Sequence, residues 1–233
     1  METALYILEE IRRFANPDLI DKRKNQFGIQ ANNAVGLTQK QLNEIIKGIP
    51  KSEALALELY ESDIYEARLL CAKLFPPKKL NESLANAFVG RFENWEICDT
   101  FALKLFCRSD LATPLIYAWN KDERVFVKRA AFASIAGLCM ADKSSDNQTF
   151  LPFYALIESH AEDDRLYIKK AISWALRSLG KRNSDLKLEA ELCAERLRLR
   201  ESKSAQWIAK DALKEFHNPQ CRNSDYPRNK YRV

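Results

Sequence analysis

A chain of 233 residues, 46% of them hydrophobic, is long enough to bury a sizeable core, either as one large domain or as an array of repeats. Leu and Ala number 29 and 27 against five Val and five Thr, a balance that favours helix, and no convincing alternation of strand type occurs. The formal charge of +5 is unevenly spread: residues 1–120 hold 15 Lys/Arg and 16 Asp/Glu, whereas residues 121–233 hold 22 and 16. A net +6 in the second half suits a polyanionic partner, although on charge alone a solvated repeat surface explains it equally well.

From the N-terminus, Met1-Glu2-Thr3-Ala4 followed by Glu9-Glu10 lacks the basic region and cleavage site of a secretory signal, so a cytoplasmic protein is expected. Apolar residues then recur at helical spacing, broken at Pro17, Gly48-Ile49-Pro50, Pro76-Pro77, Pro114, Pro152 and Gly180. Helices are predicted over 3–15, 52–60, 63–75, 93–107, 122–140, 163–179 and 204–216, with Ser62 or Asp63 and Asp163 as N-caps and Gly180 as a C-cap. The longest apolar uncharged stretch, 130–141, falls well short of the roughly 20 residues a membrane-spanning helix needs. The six cysteines form no Cys-x-x-Cys pair and sit mostly in apolar helical stretches, as reduced buried thiols do. His160 and His217 have no metal-ligand spacing, and neither a phosphate-cradling glycine loop nor a nucleophile elbow is present, so no metal or cofactor is expected.

An internal repeat supplies the architecture. Arg124-Val125-Phe126-Val127-Lys128-Arg129-Ala130 matches Arg165-Leu166-Tyr167-Ile168-Lys169-Lys170-Ala171 at an offset of 41, Leu138 then falls on Leu179, and Ile64-Tyr65-Glu66-Ala67-Arg68 echoes the pattern. A period near 40 with paired helices predicts an all-α, HEAT-like repeat α-solenoid of the ARM-like superhelix type with a concave basic face. Residues 1–216 read as a single repeat domain. Residues 217–233, with Arg222, Arg228, Lys230 and Arg232 against Asp225 alone, read as a basic C-terminal tail, flexible or draped on the surface.

Trp95 and Asp99 stand one helical turn apart, which places a π face beside a carboxylate. Both groups stabilise a cation. In the repeat register Lys170 is equivalent to Arg129, and Trp174 lies one turn beyond it, so Arg129 and Trp174 are expected on equivalent faces of stacked helices. Taken singly, each residue has a bland explanation, the tryptophans as core, Asp99 as a surface or capping group and Arg129 as one half of an ion pair. Lys128, Lys169, Lys170, Lys181 and Arg182 are candidate phosphate contacts, or simply a solvated basic stripe.

The runs Asn94-Trp95-Glu96-Ile97-Cys98-Asp99, Val127-Lys128-Arg129-Ala130-Ala131-Phe132 and Ile168 to Arg177, with Phe27-Gly28 and Gly36-Leu37 before them, together resemble the AlkD-type DNA alkylation-repair glycosylases. The likeness runs from about residue 20 to residue 190. It implies a HEAT-like fold and a hydrolase that cleaves the N-glycosidic bond of cationic N3- or N7-alkylated purines in duplex DNA without flipping the base. It further implies that Asp99 is the catalytic carboxylate, that Trp95 and Trp174 contact the DNA at the lesion, and that Arg129 supports the backbone there. Phe27 and Thr38 occupy positions where well-understood members carry tyrosine and glutamine, so these two DNA-contact candidates lack a hydroxyl and some reach. The expected protein is thus a monomeric, cytoplasmic, monofunctional DNA glycosylase, nucleoid-associated when bound to DNA. The alternative is a non-catalytic HEAT-repeat protein that binds distorted or branched DNA.

Overall fold

The computed structural model describes residues 3–231, so Met1, Glu2 and the tail residues Arg232 and Val233 lie outside the described part. The described residues form helices and no strand, in two compact units, one extending to Leu111 and one beginning at Ala112. The fold is all-α and HEAT-like. Among the described residues no helix is long and apolar enough to cross a membrane.

The first unit contains α1 (Ala4–Arg13), α2 (Pro17–Phe27), α3 (Gln39–Ile45), α4 (Glu53–Glu61), α5 (Tyr65–Leu74), α6 (Glu82–Val89) and α7 (Trp95–Lys104). Side-chain caps set several starts: Thr3 for α1, Thr38 for α3, Ser52 for α4, Asn81 for α6 and Asn94 for α7 each accept a hydrogen bond from the first turn. Helix α5 packs against both α4 and α7. A buried aromatic cluster joins α4, α6 and α7, with Tyr60–Phe88 and Phe92–Phe101 centroids 4.7 and 5.0 Å apart, distances at which rings attract.

The second unit contains α8 (Ala112–Trp119), α9 (Val125–Ala141), α10 (Pro152–His160), α11 (Leu166–Gly180), α12 (Ser184–Arg198), α13 (Lys203–Phe216) and α14 (Arg228–Tyr231). Its centre is α9 against α11, where small residues such as Ala130, Ala131, Ala171 and Ala175 are fully buried and let the helices approach closely. The 41-residue repeat is visible in detail. In the two matching junctions an aspartate accepts from the backbone N–H two residues on and pairs with that residue's guanidinium: Asp122 with Arg124 at 2.7 Å and Asp163 with Arg165 at 2.6 Å.

That junction corrects the predicted caps. Asp163 does not cap α11; Arg165 occupies the cap position and Asp163 makes the turn before it. Ile64 precedes α5, Ser62 instead ends α4, and Asp63 sits in the left-handed region (φ 61°) bonded to Asn33 at 2.7 Å. Gly180 is the last residue of α11 rather than its cap. A Cβ there would lie 2.5 Å from the Phe216 ring, so close packing, not helix termination, requires the glycine.

Beyond Phe216 the chain follows the surface of the second unit. The Ser224 and Tyr226 N–H groups donate to the Lys181 and Arg182 carbonyls at 2.8 and 3.0 Å, and Tyr231 donates to Asp185 at 2.5 Å.

Candidate functional site

Trp95 is the first residue of α7 because Asn94 caps that helix, its Oδ1 accepting from the Glu96 and Ile97 N–H groups at 2.9 and 3.2 Å. Asn94 is itself held on both sides, accepting from the Tyr65 hydroxyl at 3.0 Å and donating to the Gln30 carbonyl at 3.0 Å. The Trp95 indole N–H donates to the Phe27 carbonyl at 2.9 Å, which fixes the ring at one edge. Phe27 ends α2, and Gly28 caps it in the left-handed conformation (φ 64°), leaving the Phe27 ring 55% exposed. Ile97, Cys98, Phe101 and Ala102 bury the other side of α7, and Trp95 and Asp99 are both half-buried on the remaining face.

The loop that follows α2 is anchored by charge. Glu66, with no exposure, accepts from the N–H groups of Val35, Gly36 and Leu37 at 2.9, 2.9 and 3.3 Å. Gly36 has φ 86° and lies against α2, where a Cβ would come within 2.0 Å of the Asn16 carbonyl oxygen; no side chain fits. Glu96 accepts from Tyr65 at 2.8 Å and Gln39 at 3.1 Å and is bridged by Arg23, which also donates to the Leu37 carbonyl at 3.3 Å. Burial, reinforced by the Glu96 carboxylate, drives the Tyr65 hydroxyl far above its ordinary pKa, so it serves as a fixed donor. Arg23, Tyr65, Glu66 and Glu96 are thus site-building residues that the sequence reading passed over. Tyr65 and Glu66 showed there only as part of the repeat echo, Glu96 only as a neighbour of Trp95, and Arg23 not at all. Thr38 caps α3 in a reciprocal pair with Gln41, its Oγ1 accepting from the Gln41 N–H at 3.2 Å.

In the second unit Arg129 and Trp174 stand on the packed neighbours α9 and α11. Arg129 is 6% exposed and donates to the Tyr167 carbonyl at 2.7 Å, which ties one helix to the start of the next; Trp174 is half-buried. The four catalytic candidates therefore fall into two pairs, Trp95 with Asp99 on one helix and Arg129 with Trp174 on adjacent helices.

The basic candidates of this unit divide. Lys170 is exposed, and Lys169 lies over the Trp207 ring at 5.2 Å. Lys181 pairs with Glu215, which also accepts from Arg177 at 2.5 Å; burial would raise the Glu215 pKa, but these two cations outweigh it and hold it low. Lys128 is 6% exposed and reaches Asp163 at 3.5 Å, so it is not part of a solvated stripe. Arg182 must be corrected outright. Its side chain is fully buried, donates to the Cys139, Asp142 and Ser145 carbonyls, and stacks on Phe150 at 3.9 Å, so no phosphate can reach it. Burial lowers the His160 pKa, with help from Lys128, and raises Cys107 to about 11 and Cys193 to about 12, which keeps these groups neutral. Among the described residues no group of three or more metal-ligating side chains forms.

The model of the family described as DNA alkylation repair enzyme matches residues 7–216. The chain belongs to that DNA alkylation repair family. One solved structure, described as a new family of proteins related to the HEAT-like repeat DNA glycosylases with affinity for branched DNA structures, superposes with a TM-score of 0.73 at 14% identity, covering 91% of this chain and 95% of that one. A second, the protein smu.31 from Streptococcus mutans, superposes with a TM-score of 0.55 at 19% identity over 91% of this chain and 98% of that one. No curated protein matches the sequence. At these identities the two structures speak for the fold, and the alkylation repair family match runs from within α1 to the end of α13.

Proposed function

We propose that this member of the DNA alkylation repair family is a monofunctional DNA glycosylase that hydrolyses the N-glycosidic bond of cationic N3- or N7-alkylated purines in duplex DNA. The observation that carries the reading is the α7 face, where Asp99 stands one turn beyond an indole held at its edge by the Phe27 carbonyl. Such a base carries its positive charge on the purine and leaves as a neutral molecule, taking the C1′–N bonding pair with it. The sugar becomes an oxocarbenium ion. Asp99 stabilises that charge and accepts the proton of the attacking water as the O–C1′ bond forms, and the indole face of Trp95 favours the same cation; Trp174 is proposed as a further DNA contact. Neither general-acid help to the leaving base nor a pocket for an extruded base is required, unlike most enzymes that act on bases. Arg129 is the residue proposed to support the DNA backbone. The protein would act as a monomer in the cytoplasm, on the nucleoid.

The reading is tested by incubating the protein with duplex DNA that contains 7-methylguanine and measuring free base, with the abasic strand intact until heated in alkali. The affinity of the first structural relative for branched DNA favours one other reading, a non-catalytic binder. That reading takes over if branched or distorted DNA is bound tightly while neither 7-methylguanine nor 3-methyladenine is released.

A further inference from the structure

An open cavity of about 480 Å³ in the first unit is ringed by Lys51, Lys73, Lys104 and Arg108. Among the described residues none of the four has a carboxylate within ion-pairing distance. Lys51 donates to the Lys73 and Phe75 carbonyls at 2.9 and 3.2 Å, Lys73 to the side-chain oxygens of Gln39 and Asn43 at 2.9 Å each, and Arg108 to the Leu103 carbonyl at 3.1 Å. Helix C-termini explain a lone cation at the ends of α5 and α7. They do not explain four cations gathered around one concavity, where mutual repulsion opposes the arrangement. Burial, then Lys104, lowers the Lys73 pKa to about 8, and burial, then Arg108 and Lys104, lowers that of Lys51. Glu96 is the acid that offsets this at Lys73, and it is already bridged by Arg23.

We infer that this cavity is a phosphate site and that it holds a backbone phosphodiester of DNA. An anion there replaces the missing carboxylate and relieves the repulsion among all four cations. The cavity is open to solvent, and Lys104 and Arg108 are exposed where a phosphate would first meet the protein. The inference rests on the reading that DNA is the ligand, but not on base release.

The test is fluorescence anisotropy on an undamaged labelled duplex across a salt series. Lys104→Gln with Arg108→Gln is compared with Lys47→Gln with Lys79→Gln, which removes the same charge from lysines that already pair with Glu44 and Glu53. The first double variant is expected to lose affinity about tenfold and to shallow the log-log salt slope by about 0.9, the value of one phosphate; Lys104→Arg with Arg108→Lys is expected to restore both. Affinity of the unmutated protein is expected to fall as pH rises above 8, where Lys73 sheds its proton, and Lys73→Met removes that fall. Equal loss in the two double variants would overturn the site, since bulk charge would then suffice. A calorimetric titration with inorganic phosphate separates the sources: if phosphate binding is lost in the first variant while DNA affinity is untouched, the cavity takes a small anion and the assignment to DNA falls. If no alkylpurine is released but the first variant still weakens DNA binding selectively, the glycosylase reading fails and this site stands.

Discussion

Two sets of cations, one in each unit, stand in opposite surroundings. The second half of the chain has the basic surplus, yet Lys128 and Lys181 are taken up in ion pairs, and Arg182 is spent on three backbone carbonyls in the core. The first half is net acidic, yet it leaves Lys51, Lys73, Lys104 and Arg108 around one cavity with no acid among them. Net charge by segment therefore says little about where positive charge is available; pairing and burial decide it.

This contrast can be broken first at Arg182. Arg182→Met leaves the Cys139, Asp142 and Ser145 carbonyls without their donor, and an unsatisfied buried acceptor costs about 1–3 kcal/mol, so a loss of at least ~3 kcal/mol is expected in a urea melt. DNA affinity of the folded protein should not follow. If stability holds and affinity drops, the core assignment is wrong and Arg182 belongs to the DNA face after all.

A smaller effect is expected at Trp174. Base-aromatic stacking is worth roughly 1–3 kcal/mol, so Trp174→Ala should weaken binding of lesion DNA about tenfold and slow base release together. A change in stability alone, read by melting and anisotropy on the same variant, would return this residue to the core. Smallest is Glu215→Gln, which frees Lys181 but leaves Arg177 with Asp211 at 3.2 Å. DNA affinity should rise by about twofold to fivefold, the worth of one partly exposed pair at ~0.5–1 kcal/mol. A fall in affinity would mean that Glu215 positions Lys181 rather than occupying it.

Much of the helical plan was legible in the sequence because apolar spacing, prolines and the repeated Arg-to-Ala runs act locally. The offset of 41 marks α9 and α11, and the shared aspartate-arginine turns before them bear it out. Cap positions were less legible, since Asp163 and Gly180 carry the right chemistry but serve a neighbouring turn and a close contact with Phe216. The Trp95 to Asp99 spacing was readable for the same local reason. The supports beneath it were not: Glu66 meets the N–H groups of residues 35–37, and Glu96 meets Arg23, across distances in sequence that no periodicity encodes. The cation cavity was invisible for a similar cause. Its four members come from the ends of successive helical repeats and gather only when the repeats stack.

The most direct measurement is single-turnover release of 7-methylguanine from duplex DNA by Asp99→Asn beside the unmutated protein. The amide is nearly isosteric but cannot neutralise an oxocarbenium ion or draw a proton from water, so release should fall on the order of 100-fold or more while DNA affinity is kept. Release at the unmutated rate would contradict the account and remove Asp99 from the chemistry.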